Sequence, residues 1–145
     1  MIKATARRQG SDSLRHEIEL GRHRITVDEP KDVGGGDEGP SPQQLLAASL
    51  ASCTAITMEL YAKRKEWDLG AVEVECEFDK PEPGSPTKFK LTLRLPNNLS
   101  QEQVEKLGLI ASKCPVHRAL SGEVMFEERI ELVERTPARD ETRAA

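Results

Sequence analysis

Ser41-Pro42-Gln43-Gln44-Leu45-Leu46-Ala47-Ala48-Ser49-Leu50-Ala51-Ser52-Cys53 is the stretch from which the fold of this chain is read. Ser41 suits a helix N-cap, Pro42 the first helical position, and Gln44 the reciprocal acceptor of a capping box. The pattern predicts a helix from there to about Lys65. Its first half is apolar or small on nearly every face, which predicts a helix buried all round. Glu59, Lys63, Arg64, Lys65 and Glu66 carry the second half out to solvent. A long helix of this kind has to be covered by other elements, so the rest of the chain is read for what covers it.

Upstream, Lys31 to Pro42 is a loop with three consecutive glycines, Gly34-Gly35-Gly36, which suits flexibility or a close backbone approach. Before it, residues 2–8 and 14–27 read as strands, with Ile18 and Leu20, then Ile25 and Val27, alternating with polar residues around a turn at Gly21-Arg22. Downstream, Val72, Val74, Cys76 and Phe78 alternate with Glu73, Glu75 and Glu77, the signature of a half-buried strand. A connection rich in proline and glycine, Lys80–Thr87, leads to a second strand carrying Phe89, Leu91, Leu93 and Leu95. Ser100-Gln101-Glu102-Gln103 is another capping box, opening a helix with Val104, Leu107, Ile110 and Ala111 on one face. Cys114-Pro115 interrupts it, and a short helix continues to about Ser121. Met125–Val133, with Phe126, Ile130 and Leu132, reads as a last strand. Residues 136–145 are polar and predicted to be disordered. Hairpins on both sides of a long helix predict an α+β fold, a largely antiparallel sheet packed on a buried central helix, in a single domain spanning residues 1–135.

The bulk properties narrow the function. The 145 residues carry a formal charge of −4, without a basic face for nucleic acid, and aromatics make up 3%, too few for a base-stacking surface. The N-terminus MIKATARRQG has no apolar core of a signal peptide, and no apolar run is expected to reach the roughly 18 residues of a membrane span. Three cysteines do not make a disulfide framework in a chain of this size. A cytoplasmic protein without nucleic-acid or membrane partners is the expectation, and there a catalytic disulfide is more usual than a structural one.

Two of the cysteines stand in informative settings. Cys53 lies deep in the small-residue helix, where free cysteine also serves as a small hydrophobic filler. Cys114 precedes Pro115, so it is expected at a helix start, where unpaired N–H groups and the dipole favour a thiolate. One shielded and one activated thiol suggest a dithiol redox centre. A metal site is the weaker alternative. Cys114-x-x-His117 is one ligand pair, and His16, His23 and Cys53 could complete it, whereas structural zinc sites show two short-spaced pairs. No metal or cofactor is therefore expected. Cys76, on the apolar face of its strand, reads as core.

Taken together, these motifs resemble the OsmC/Ohr family, the osmotically inducible and organic hydroperoxide resistance proteins. The resemblance runs from about Arg24 to Val133. It is carried by Gly34-Gly35-Gly36-Asp37-Glu38-Gly39-Pro40-Ser41-Pro42, by the helix ending in Ala51-Ser52-Cys53, and by Cys114-Pro115-Val116-His117-Arg118-Ala119-Leu120. It implies an intertwined homodimer with active sites at the subunit interface. It also implies thiol-dependent reduction of organic hydroperoxides, and in some members of hydrogen peroxide. Cys53 would be the peroxidatic cysteine, oxidised to a sulfenic acid. Cys114 would be the resolving cysteine that closes a disulfide, and a dithiol such as dihydrolipoamide would reopen it. A non-catalytic small-ligand-binding or redox-sensing protein on the same fold is the alternative.

One departure bears on that alternative. The family places a glutamate shortly before the first cysteine, and this glutamate positions an arginine that holds the thiolate. Here the matching positions are Gln43 and Gln44. An amide still hydrogen-bonds an arginine, but without charge assistance on the acceptor. Arg15 is the best match for the arginine, with Arg22 and Arg24 as alternatives. At 100° per residue, Gln43 lies about −80° and Gln44 about 180° from Cys53 around the helix. A shared site therefore needs another chain segment or a second subunit.

Overall fold

The computed structural model describes residues 1–79 and 82–135 of the chain. The segment 136–145, expected to be disordered, lies outside the described residues. The chain divides into two compact units, Met1–Leu45 with the segment from Glu128 onward, and Leu46–Glu127.

The first unit is built on three antiparallel strands in the order β1 (Thr5–Arg8), β2 (His16–Leu20) and β3 (His23–Val27). Ile18 pairs with Ile25 across the β2–β3 hairpin and with Ala6 of β1. The β2–β3 turn is two residues long, with Leu20 opposite His23. Gly21 holds φ +60° at its first central position, which a two-residue hairpin of the II′ class requires. After β3 the chain makes one 3-10 turn, Lys31–Val33, and enters the glycine-rich loop. The glycines there permit close approach. A Cβ on Gly35 would stand 1.9 Å from the Glu29 carbonyl oxygen, and one on Gly39 would stand 2.4 Å from that of Thr26.

Helix α1 spans Pro42–Arg64. Its start is the expected capping box: the Ser41 N–H donates to Gln44 Oε1 at 2.9 Å, and the Gln44 N–H donates to Ser41 Oγ at 3.2 Å. In the second unit follow the antiparallel hairpin β4 (Glu73–Phe78) and β5 (Phe89–Arg94), then α2 (Gln101–Ala111) and α3 (Pro115–Ser121). The capping box of α2 forms as its sequence predicts, with Ser100 and Gln103 reciprocally bonded. The core of this unit joins Met58 and Ala62 of α1 to Leu69 and to Leu107 and Ala111 of α2, flanked by Trp67, Val74 and Leu93. Met58 and Leu107 are fully buried, each worth about 1.5–3 kcal/mol relative to exposure.

Antiparallel sheets and a long central helix give the α+β class, as expected. Two expectations are corrected. Helix α1 is not buried all round within one chain. Only the i, i+4 stripe Leu50, Thr54, Met58 and Ala62 is buried, while Ile56 and Leu60 are more than half exposed. Apolar composition called for cover on every face, but the chain's own elements reach one face. By length and hydropathy alone α1 would also pass for a membrane span, against the expectation that no apolar run is long enough. Its buried stripe instead packs into a folded unit. The second correction concerns Met125–Val133, which forms no strand in the described chain. Its apolar residues stand in solvent, Phe126 85% and Leu132 96% exposed. A strand needs a neighbour to take its backbone hydrogen bonds, and this segment has none within the described residues.

Candidate active site

Proline at N1 sets the conformation of the turn that holds Cys114. Cys114 is the N-cap of α3, with extended backbone at φ −64° and ψ 147°, and Pro115 follows at N1. The sulfur plays the part a capping oxygen usually plays. It accepts the His117 N–H at 3.2 Å. The residue is fully buried. On its other side the sulfur lies 3.8 Å from Oγ1 of Thr54, also fully buried, whose hydroxyl donates to the Leu50 carbonyl at 2.8 Å. Thr54 follows Cys53 on α1, so α3 brings its thiol to the helix that carries the other one, and the two cysteines lie near each other.

Cys53 is partly buried. One residue, about 100°, separates it from Thr54 around α1, so it stands at the margin of the buried stripe. Leu46 and Leu50, seven and three residues before it, share its side of the helix. They line a cavity of about 610 Å³ with Phe78, Phe89, Leu91 and His117. This size and apolar lining suit a small organic ligand. All three cysteines are free thiols. Burial, with a smaller contribution from the Glu77 charge, pushes the Cys76 thiol above its ordinary value and keeps it neutral. Among the described residues, no group of three or more His, Cys, Asp or Glu side chains is arranged to hold a metal ion.

The other candidates belong to the first unit. Gln44 is committed to capping α1 through Ser41, and Gln43 is exposed. Arg15, four-fifths buried at its side chain, has a carboxylate partner that the sequence reading missed: its Nη1 donates to Glu38 Oε2 at 2.8 Å. Glu38 lies in the glycine-rich loop, and Asp28 holds that loop in place. The Asp28 carboxylate accepts the N–H groups of Glu29 at 2.8 Å, Gly36 at 3.1 Å and Glu38 at 3.2 Å. Burial acts to raise the Asp28 carboxyl, but these three donors and the Arg15 charge outweigh it and hold it below its ordinary value. Of the alternative arginines, Arg24 pairs with Glu17 at 3.6 Å as a largely exposed cation. The signal that could have found Glu38 is its place next to glycines that only a tightly folded loop needs. Thr54 could have been found as the single polar member of an otherwise apolar i, i+4 stripe.

Comparison with known proteins agrees with this architecture. The family profile of OsmC-like proteins matches residues 34–129. An organic hydroperoxide resistance protein-like 1 from Staphylococcus saprophyticus is 29% identical over 110 residues, covering 72% of this chain and 78% of that protein. The crystal structure of the organic hydroperoxide resistance protein OhrB of Bacillus subtilis superposes with a TM-score of 0.58 at 27% identity, covering 84% of this chain and 91% of that one. An OsmC-like protein from Mycoplasma pneumoniae shares the fold at a TM-score of 0.69 and 22% identity, over 84% of this chain and 88% of its own. The profile match spans both the glycine-rich loop with Cys53 and the Cys114-Pro115 turn, and the chain belongs to the OsmC-like family.

Proposed function

We propose that this protein is a thiol-dependent peroxidase that reduces organic hydroperoxides through Cys53 and Cys114. The observation that carries the reading is the meeting of two cysteines distant in sequence. Cys114 is seated against Thr54, the immediate neighbour of Cys53. The Cys53 thiolate attacks the terminal peroxide oxygen. The O–O bond breaks, the alcohol leaves after taking a proton, and Cys53 becomes a sulfenic acid. Cys114 sulfur then attacks the Cys53 sulfur, forming the disulfide and releasing water. A small dithiol of the dihydrolipoamide kind reduces the disulfide and is itself oxidised to the cyclic disulfide. The cavity beside Leu46 and Leu50 takes the alkyl part of the hydroperoxide. Its apolar lining supports an organic substrate over hydrogen peroxide.

The family resemblance alone carries Arg15 over as the proposed cation for Cys53; within its own unit Arg15 pairs with Glu38. The Arg15–Glu38 ion pair gives the arginine a carboxylate other than Gln43 or Gln44, which supports the catalytic reading. The functional form is proposed to be a homodimer. The exposed apolar side of α1 and the unpaired segment Met125–Val133 support it, and hydroperoxide resistance relatives support the substrate class.

The test is turnover of cumene hydroperoxide with dihydrolipoamide, followed by peptide mapping after one equivalent of oxidant without reductant. The expected product is an intrasubunit Cys53–Cys114 disulfide, with Cα atoms drawn to about 4.4–6.8 Å. Cys53 paired with Cys76, or oxidation without any disulfide, would sink the two-cysteine mechanism.

A further inference from the structure

We propose that Thr54 is a positioning residue for the resolving thiol, its hydroxyl turning from the Leu50 carbonyl to the Cys114 sulfur when that sulfur becomes charged. The role rests on the proposed assignment of Cys114 as resolving cysteine. Thr54 is the polar member of the buried stripe on α1, and it stands where valine would fill the same space. Its hydroxyl has one proton and two lone pairs. The proton goes to the Leu50 carbonyl at 2.8 Å, so across the 3.8 Å contact with Cys114 the thiol is the donor and Oγ1 the acceptor. The sulfur also accepts the His117 N–H at 3.2 Å. In the neutral state every polar group of this buried set is therefore bonded.

Ionisation changes the accounts. A fully buried thiolate needs donors, since burial of an unpaired charge is costly. When Cys114 loses its proton, Oγ1 loses the hydrogen bond it was accepting. The Thr54 hydroxyl is then free to turn about Cβ–Oγ1 and donate to sulfur, which gains a second donor beside His117 N–H. The Leu50 carbonyl is not orphaned, because the Thr54 backbone N–H still bonds it within the helix. The turn requires no heavy atom to move. The charged sulfur attacks the Cys53 sulfenic sulfur, the S–S bond forms, the S–O bond breaks, and the departing hydroxide takes up a proton as water. The proton lost by Cys114 balances the one gained. A charge-assisted hydrogen bond withheld from the attacking sulfur slows this step by roughly ten- to a hundredfold. Sulfenic acid formation at Cys53 does not use it.

Two measurements test the role. In the Cys53→Ser/Cys76→Ser background Cys114 is the sole thiol, and its S–H stretching band reports the bond to Oγ1. Thr54→Val should move the band to higher frequency, and Thr54→Ser should keep it. In the protein with all three cysteines, a single turnover of cumene hydroperoxide is followed by dimedone trapping of the sulfenic acid and by disulfide mapping. Thr54→Val should leave sulfenic acid formation at its wild-type rate and slow disulfide closure at least tenfold, with Thr54→Ser restoring closure to within a few-fold. Thr54→Ala gives the same reading if the valine variant does not fold. An S–H band unmoved in Thr54→Val overturns the contact. A moved band with unchanged closure overturns the positioning role. Wild-type protein that oxidises without a Cys53–Cys114 disulfide overturns the proposed peroxidase mechanism, and this role with it.

Discussion

Glu38, in the glycine-rich loop, is the carboxylate that pairs with Arg15. Its pair with Arg15 is about half exposed on the Glu38 side, so it adds less than about 1 kcal/mol to stability. What it provides is orientation of a guanidinium that is otherwise four-fifths buried. Glu38→Gln is therefore expected to leave the unfolding midpoint nearly unchanged and to slow oxidation of Cys53 by about tenfold, the loss of one charge-assisted bond. Gln43→Glu should change that rate little, since Arg15 already has its carboxylate. Stopped-flow oxidation of the two variants decides between the positions, and a Gln43→Glu variant that gains rate while Glu38→Gln loses none would return the role to the helix. Asp28 supports the same loop and carries a pH signature. Its carboxyl is held below the unfolded value of about 3.9, so in the acid window the unfolded chain binds more protons and stability rises with pH. The contribution is complete above about pH 4 and is lost as pH falls through the folded value. Asp28→Asn should lower stability at neutral pH and flatten the fall below pH 4, as read by urea unfolding across that range.

At the scale of elements, the helices were the most legible part. Both capping boxes form as their residues dictate, because Ser41, Gln44, Ser100 and Gln103 act within one turn of chain. Ser100→Ala should cost about 1 kcal/mol in the α2 unit, measured by denaturant unfolding. Met58→Ala should cost more, about 2–5 kcal/mol, because it opens a void between α1 and α2. The hairpins followed from alternation, and Cys53 and Cys114 stood out by their neighbours. The Arg15–Glu38 and Thr54–Cys114 contacts were not legible. Glu38 stands beside loop glycines, Thr54 is the polar member of an apolar stripe and Cys114 precedes a proline, but only the tertiary path pairs each with its partner. Met125–Val133 is expected to be a strand from its apolar residues Phe126, Ile130 and Leu132, and it forms none among the described residues. The partner that such a strand needs is not written in the segment, and the described chain holds none.

For the whole molecule, the proposed homodimer would cover both the exposed side of α1 and the segment Met125–Val133. Ile56, Leu60, Phe126, Ile130 and Leu132 are each more than half exposed. Covering them in a permanent complex is expected to bury more than about 2,000 Å² in total. Sedimentation should find a dimer at micromolar concentration, and Ile130→Asp/Leu132→Asp should shift it to monomer. A wild-type chain that sediments as a stable, well-folded monomer would contradict the assembly. The single buried stripe on α1 then has a consequence for how much working protein a given supply of chain yields. If the other faces of the helix are covered only by association, the folded state draws two chains from the unfolded pool at once. Its amount rises with the square of the free unfolded chain, and apparent stability climbs with total concentration. A modest increase in synthesis would then produce a disproportionate increase in active protein, a threshold response set by the bare side of one helix.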